Sequence, residues 1–434
     1  MHEGSWIMKN TKTESFGSLF PKHTQKNNTG RSTAWEKRLL RNFMRVVGEP
    51  PLTVTLWDGT KIHPSRGQAR ASIVLNDRGA LWRLMVNPIM ALGDLYAAGR
   101  VDSDGSLVEL VATLLRARKP YATRSLLERT YVDGLRRLQK NTPSRNRDNI
   151  HHHYDLGNDF FRLWLDQSMI YTCAYFPDPN MTLEAAQIAK MDHVCRKLRL
   201  RPGERVVEAG CGWGGLALHM ARHYGVTVKA YNVSHEQILA ARQTANDQGL
   251  AGQVEFVEDD FHNIQGEYDA FVSVGMLEHV GLSNYETLGG IIERVLTPTG
   301  RGLIHSIGQN QPQPMTGWIE KRIFPGAYPP TLGQMIAIFQ PYNFTVHDIE
   351  NLRPHYAKTC EHWLTRYEDH AAQIETMFDE QFVRMWRFYL SCAIAGFKAG
   401  VLQLYQILFT RKADDSMPWS RAFMYPQTGP DEGH

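Results

Sequence analysis

From about residue 182 to residue 308 the sequence alternates between helical and extended periodicity, and that alternation constrains the fold more than any other feature. "LEAAQIAKMDHVCRKLRL" has helical spacing and stops at Pro202-Gly203. "RVVEAG" is a short apolar run, and a Gly-rich turn then leads into the helical "LALHMARHYG". "VTVKAYN", "QVEFVEDD", "YDAFVSVG" and "GLIHSIG" read as further strands, interleaved with the helical "SHEQILAARQTANDQGL" and "NYETLGGIIERVLTPTG". Strands alternating with helices predict an α/β fold, a doubly wound (Rossmann-like) parallel sheet with ligands at the carboxyl ends of its strands. Near the chain end, "FKAGVLQLYQILFTRK" reads as a last strand closing the sheet edge.

The Gly-rich turn "VVEAGCGWGG" narrows the ligand. Gly210, Gly212 and Gly215 fit the dinucleotide pattern, while Gly210, Gly212 and Gly214 equally fit a G-x-G-x-G loop of S-adenosylmethionine (SAM) methyltransferases. The flanks favour SAM. Glu208 precedes the first glycine by two residues, where a carboxylate can meet the aminoacyl end of the cofactor. The second strand ends at Asn232, where NAD sites carry an acid for the ribose. Asn232, Ser234 and Gln237 can bond a ribose as neutral groups, and Asp259-Asp260 at the third strand tip suits an adenine amino group.

The rest of the chain divides around this core. Residues 1–33 are polar, lack an apolar signal core and read as a disordered leader. Residues 34–114 read as a small α+β domain. It opens on a helix whose face carries Trp35, Leu39, Phe43 and Val46, followed by a hairpin turning at Asp58-Gly59 and a helical stretch interrupted by Pro88. Residues 115–149 form a basic helical linker: ten Arg and Lys lie between Arg116 and Arg147, either a solvated helix or a face for anionic headgroups. Residues 150–414 then form the catalytic domain and 415–434 a tail. The net charge of +3 argues against a nucleic-acid partner, and five cysteines without a C-x-x-C pair suit reduced thiols in a cytoplasm. No uncharged run is long enough to span a bilayer, so membrane contact is expected to be peripheral. His151, His152 and His153 are consecutive and match no ligand spacing, so no metal is expected.

"VSVGMLEHVG" ends an apolar strand with Glu278 and His279 side by side, which leaves a metal pair, an acid–base pair or a solvated loop open. Upstream, "HHHYDLGNDFFRLWLDQSMIYTCAYF" is unusually aromatic, either as core or as the lining for an apolar ligand. "HYDLGNDFF", "YTCAYF", "LEAAQIAK", "GCGWGG", "SVGMLEHVG", "IHSIG" and "LRPHYAKT" follow one another in an order that resembles the cyclopropane fatty acid synthases and mycolic acid cyclopropane synthases, from about 150 to 411. Residues 34–114 resemble more loosely the N-terminal domain of the longer bacterial members, thought to help engage lipid.

The resemblance implies a class I SAM methyltransferase domain. It implies methyl transfer from SAM to a cis double bond of an unactivated acyl chain in membrane phospholipid, then ring closure. It implies bicarbonate in the active site, held by Cys173, Glu278, His305, Ile307 and Tyr356. For SAM it implies Tyr171, Thr172, Gly210, Gly212, Gly214, Asn232, Gln237, Asp260 and Phe261. An alkene has no proton to lose beforehand, so methylation leaves a cation that must be shielded from water and then deprotonated. In this reading Glu278 sits at a strand tip and positions the base, and His279, pointing to the opposite face, supports the loop. The partner is a phospholipid membrane reached from the cytoplasmic side, with a homodimer expected from the family. Related endings are a methylene or a methyl branch, and another alternative is a small-molecule methyltransferase.

Overall fold

The computed structural model describes residues 30–117, 156–313, 315–412 and 414–426. The basic stretch beyond Ala117, His151–His153, Tyr154 and most of the leader lie outside the described residues. Residues 30–33, assigned to the leader, are structured instead. Ser32 donates its amide and hydroxyl to Asp58 Oδ2, both at 2.6 Å, and Thr33 closes a capping box with Glu36. These bonds pin the start of helix α1 (Ala34–Val46) to the hairpin turn.

Strands β1 (Leu52–Thr55), β2 (Lys61–Ile62), β3 (Ala71–Leu75) and β4 (Val101–Ser103) form a four-stranded sheet in the order β2-β1-β3-β4. Helices α2 (Arg78–Val86), α3 (Pro88–Ala97) and α4 (Leu107–Arg116) complete this unit. Pro88 does not kink one helix but opens a second. Asn87 caps α3, and proline suits a first helical turn, whose amides lack partners anyway. The burial of α1 also differs from its apolar spacing. Leu40 and Glu36 are buried, whereas Trp35 is 60% exposed and Val46 45%.

The second sheet has seven strands: β5 (Arg205–Ala209), β6 (Thr227–Asn232), β7 (Val254–Glu258), β8 (Tyr268–Val274), β9 (Leu296–Gln309), β10 (Phe344–Asn351) and β11 (Leu402–Arg411). Their order is β10-β11-β9-β8-β5-β6-β7, with β5 to β9 parallel. The chain runs from β5 out through β6 and β7, then returns to β8 on the other side. The switch between β5 and β8 leaves a crevice at their carboxyl ends. β11 does not close the edge as expected. It inserts antiparallel between β9 and β10, and β10 takes the edge. β11 is buried along most of its length, whereas β10 alternates exposed and covered residues, as an edge strand with one wet face does.

Helices α5 (Asn158–Arg162), α6 (Leu183–Lys197), α7 (Gly215–Tyr224), α8 (His235–Asp247), α9 (Leu277–Val280), α10 (Tyr285–Val295), α11 (Gly317–Arg322), α12 (Leu332–Ile336), α13 (Arg353–Asp369), α14 (Ala371–Met377) and α15 (Glu380–Lys398) surround the sheet. The first unit and the helical part of the second share one continuous apolar core, in which α15 packs on α3 and α4. Polar contacts fasten the same seam. Asp94 accepts from Trp318 Nε1 at 3.0 Å and Arg322 Nε at 3.1 Å, and Arg384 donates to the Tyr96 carbonyl at 2.7 Å. The segment after β11 folds back too: Met424 is buried and its carbonyl meets His193 and Arg196 of α6.

Candidate active site

The turn after β5 builds the first half of the site. Gly210 has φ +85°, and a Cβ there would come within 2.9 Å of Met276, so only glycine lets the β5 and β8 loops approach. A cavity of about 280 Å³ opens at the crevice. Tyr171, Thr172, Glu208, Gly210, Gly212, Asn232, Gln237, Asp260 and Phe261, named from the sequence as cofactor candidates, all line it. Gly214 and Ser234 do not. A Cβ on Gly214 would fall 2.5 Å from the Phe256 ring, so this glycine serves helix–strand packing. Ser234 is buried at the start of α8, between the lining residues Val233 and Gln237.

The polar groups of this cavity hold one another in place. Asn232 Nδ2 donates to Gln237 Oε1 at 2.7 Å and to the Gly212 carbonyl at 3.3 Å. Asp260 accepts from the His262 amide at 3.0 Å. Glu208 is 2% exposed, and its Oε2 has no hydrogen-bond partner. Burial pushes its carboxyl up to about 7, opposed by the nearby Lys190 ammonium.

The second half is assembled from α9, β9, α13 and the segment before α6. Glu278 is not at a strand tip: β8 ends at Val274, and Glu278 lies on the short helix α9. Its Oε1 accepts from the Ile307 amide, while its Oε2 is buried without a partner. Burial pushes the carboxyl up to about 7 against the Ile307 and Ser306 hydrogen bonds. His305 and Ile307 alternate with Ser306 along β9 and so share a face. His305 is 1% exposed; its Nδ1 lies 3.0 Å from Gln406 Nε2, and its Nε2 has no partner. Desolvation holds this imidazole well below its usual range, hence neutral. Tyr356 and Cys173 are buried too, and desolvation raises both above their usual ranges, so phenol and thiol keep their protons.

Glu278, Ile307 and Tyr356 face a second, larger cavity of about 490 Å³. Its lining is mainly apolar and crosses the seam into the first unit, reaching Leu40 and Met44 of α1, Leu81 of α2 and Leu115 of α4. Tyr171, Thr172, Gly275 and His279 line both cavities and mark their junction. His279 therefore does more than support a loop. Because α9 is helical, neighbours diverge by about a quarter turn rather than to opposite faces, and both Glu278 and His279 reach the large cavity. Burial lowers its imidazole to about 4.

Sequence reasoning did not single out Lys190 or Gln406, and it placed Phe43 and Val46 on a helix face without assigning them to a cavity. For Lys190 a signal existed. Leu183, Ala186, Gln187, Lys190, Met191 and Val194 fall at helical spacing on the buried face of α6, so the lysine interrupts an apolar stripe.

A sheet of this order with a Gly-rich β5 turn, an acid before it and paired amides at the tip of β6 defines a class I SAM-dependent methyltransferase. Residues 141–407 match the family model described as mycolic acid cyclopropane synthetase, and residues 39–125 match a domain of unknown function. The chain is 35% identical over 360 residues to cyclopropane-fatty-acyl-phospholipid synthase of Escherichia coli K12, covering 82% of this chain and 92% of the relative. It is 33% identical over 388 residues to a probable fatty acid methyltransferase of Pseudomonas putida, covering 86% and 96%. Among solved structures, cyclopropane synthase MmaA2 from Mycobacterium tuberculosis superposes with a TM-score of 0.59 at 29% identity, over 61% of this chain and 98% of that one. Mycolic acid cyclopropane synthase CmaA1, complexed with SAH and CTAB, gives 0.58 at 29% identity over the same shares. The chain belongs to the mycolic acid cyclopropane synthetase family.

Proposed function

We propose that this enzyme adds a methylene across a cis double bond of an unsaturated acyl chain in membrane phospholipid, forming a cyclopropane ring. The observation that carries this reading is the apolar cavity, which runs from the first unit to Glu278 and meets the cofactor cavity at Tyr171, Thr172, Gly275 and His279. A small polar acceptor needs no such space.

SAM, when bound, supplies an electrophilic methyl group at that junction. The chain's own residues then have three tasks. The first is to exclude water. Tyr356 stacks on Phe397 at 4.6 Å, Trp363 packs beside Tyr171 at 5.2 Å, and Phe324 meets Tyr389 edge-on at 5.6 Å. The second is to stabilise positive charge on the acyl chain, which aromatic faces do without reacting. The third is to hold a base. Glu278 Oε2, an orphaned polar atom, and the neutral Tyr356 phenol face the large cavity together, whereas His305, with its own unpartnered Nε2, and Cys173 line neither cavity. The Glu278 and Tyr356 pair fits a small oxyanion. A bicarbonate there would be held by Glu278 and Tyr356 and would supply basicity near neutral pH. Ile307 gives its amide to Glu278 rather than presenting it to an anion, so it positions the carboxyl.

The partner in this reading is a phospholipid surface. Among the described residues no helix is long and apolar enough to cross a membrane. The α1–α2 face supports contact from one side: Trp35 packs on Trp82 at 5.5 Å, Val86 is 72% exposed, and Arg38, Arg41 and Arg45 stand on the same helix as Trp35.

The test is to incubate the purified protein with SAM and vesicles of cis-monoenoic phospholipid and analyse the fatty acid methyl esters by mass spectrometry. Gain of one CH₂ with loss of the alkene and no branch, judged by retention time against standards, supports the ring. A methylene or methyl-branched product keeps the methyl transfer and discards the ring closure. Turnover of a soluble amine with inert vesicles would overturn the lipid reading.

A further inference from the structure

Lys190 is a lysine in the wrong place for a structural residue. It is 1% exposed on the buried face of α6, and it lines the cofactor cavity. There it donates to Thr172 Oγ1 at 3.2 Å. Among the described residues it has no ion-pair partner. The nearby Asp166 uses its two oxygens on the Ser168 and Ile170 amides, each at 2.9 Å. An ammonium taken out of water without a contacting anion costs several kcal/mol, so a fold that keeps one implies an anion to come. Glu208 lines the same cavity and presents the opposite need: its buried Oε2 has no hydrogen-bond partner.

A zwitterion answers both. The aminoacyl end of SAM carries one ammonium and one carboxylate on the same carbon. We infer that Lys190 is a cofactor-binding residue that takes the α-carboxylate of SAM, opposite Glu208, which takes the α-ammonium. Thr172 turns its hydroxyl to Lys190, and Gln187, one helical turn earlier on α6, donates to the Thr172 carbonyl at 3.0 Å. The strap that carries Tyr171, Thr172 and Cys173 is thus tied to the helix that carries the cation. The Lys190 ammonium is lowered to about 8 by burial, opposed by Asp166, Cys173 and Glu208, so it remains charged at neutral pH. The inference concerns the cofactor alone and stands whatever the acceptor.

The experiment is calorimetric titration of the full chain, without lipid, using SAM and decarboxylated SAM. The wild type is expected to prefer SAM by about 10- to 100-fold, the range of a hydrogen bond between charged groups. Lys190→Met should lose about that factor for SAM and keep its affinity for decarboxylated SAM within about threefold, abolishing the preference. Lys190→Arg should retain a preference. Equal losses for both ligands, or a preference that survives in Lys190→Met, would overturn the inference. If Lys190→Met does not fold, the wild type decides: equal binding of the two ligands rejects the assignment. Because no acyl chain is present, failure here is separate from failure of the ring-forming reading.

Discussion

At the scale of single residues, Glu278 and Glu208 show what burial does to a carboxyl: both are pushed up to about 7. A folded-state value above the unfolded one means that the folded chain holds the proton longer. The associated stability is full below the ordinary value of 4.5, falls as pH rises through that window, and is gone above about 7. Glu278→Gln cannot ionise. Its stability relative to the wild type, from denaturant unfolding without cofactor, should therefore rise by on the order of 3 kcal/mol between about pH 5 and pH 8. A difference that does not change with pH would mean a solvated carboxyl. The same variant should turn over at least about 100-fold more slowly with SAM affinity intact, whereas lost SAM affinity would move Glu278 to the cofactor cavity. Cys173, Glu278, His305 and Tyr356 could be named as candidates because each sits in a recognisable block of sequence, and of these Glu278 and Tyr356 face the large cavity. Gln406 was not. It faces His305 only because β11 pairs with β9 in the register that sets these two residues opposite each other, and register is a tertiary fact.

At the scale of elements, the Gly-rich turn separates residues that look equivalent in sequence. Gly210 and Gly212 line the cofactor cavity, and Gly214 packs under α8 against Phe256 and Ala241. Gly214→Ala forces a methyl into that packing at φ +81°. It should cost about 1–3 kcal/mol in denaturant unfolding while leaving the SAM affinity of the folded protein within about threefold. Unchanged stability with lost binding would return Gly214 to the cofactor. The strands β5 to β9 and their helices were readable because period and turn residues agree along each segment. The place of β11 was not, since a buried run looks alike whether it lies at a sheet edge or inside one. Glu278 was misplaced for a related reason. Four residues of α9 are too few to show a period, so the strand seemed to continue to its tip.

At the scale of the molecule, the two units act together because the large cavity has walls from both. Met44→Trp, on α1 and half-buried in that wall, should raise KM for phospholipid by about tenfold while SAM affinity stays within about threefold. Unaltered lipid kinetics would show that the acyl chain does not extend into the first unit. Charge reversal at Arg38 and Arg41, both exposed on α1, should weaken sedimentation with anionic vesicles at about 0.1 M salt, and the defect should shrink near 1 M as screening removes the attraction. Binding equal to the wild type at low salt would take the membrane away from this face. The sequence by itself determined the sheet class, the cofactor turn and most of the candidate site residues, because periodicity and short motifs are local properties. Only the tertiary structure decided that the first unit shares a core with the second, that Lys190 stands buried beside the cofactor cavity without an ion-pair partner among the described residues, and that His279 sits where the cavities meet. Burial and the meeting of distant segments are properties of the packed chain, and no local window of residues carries them.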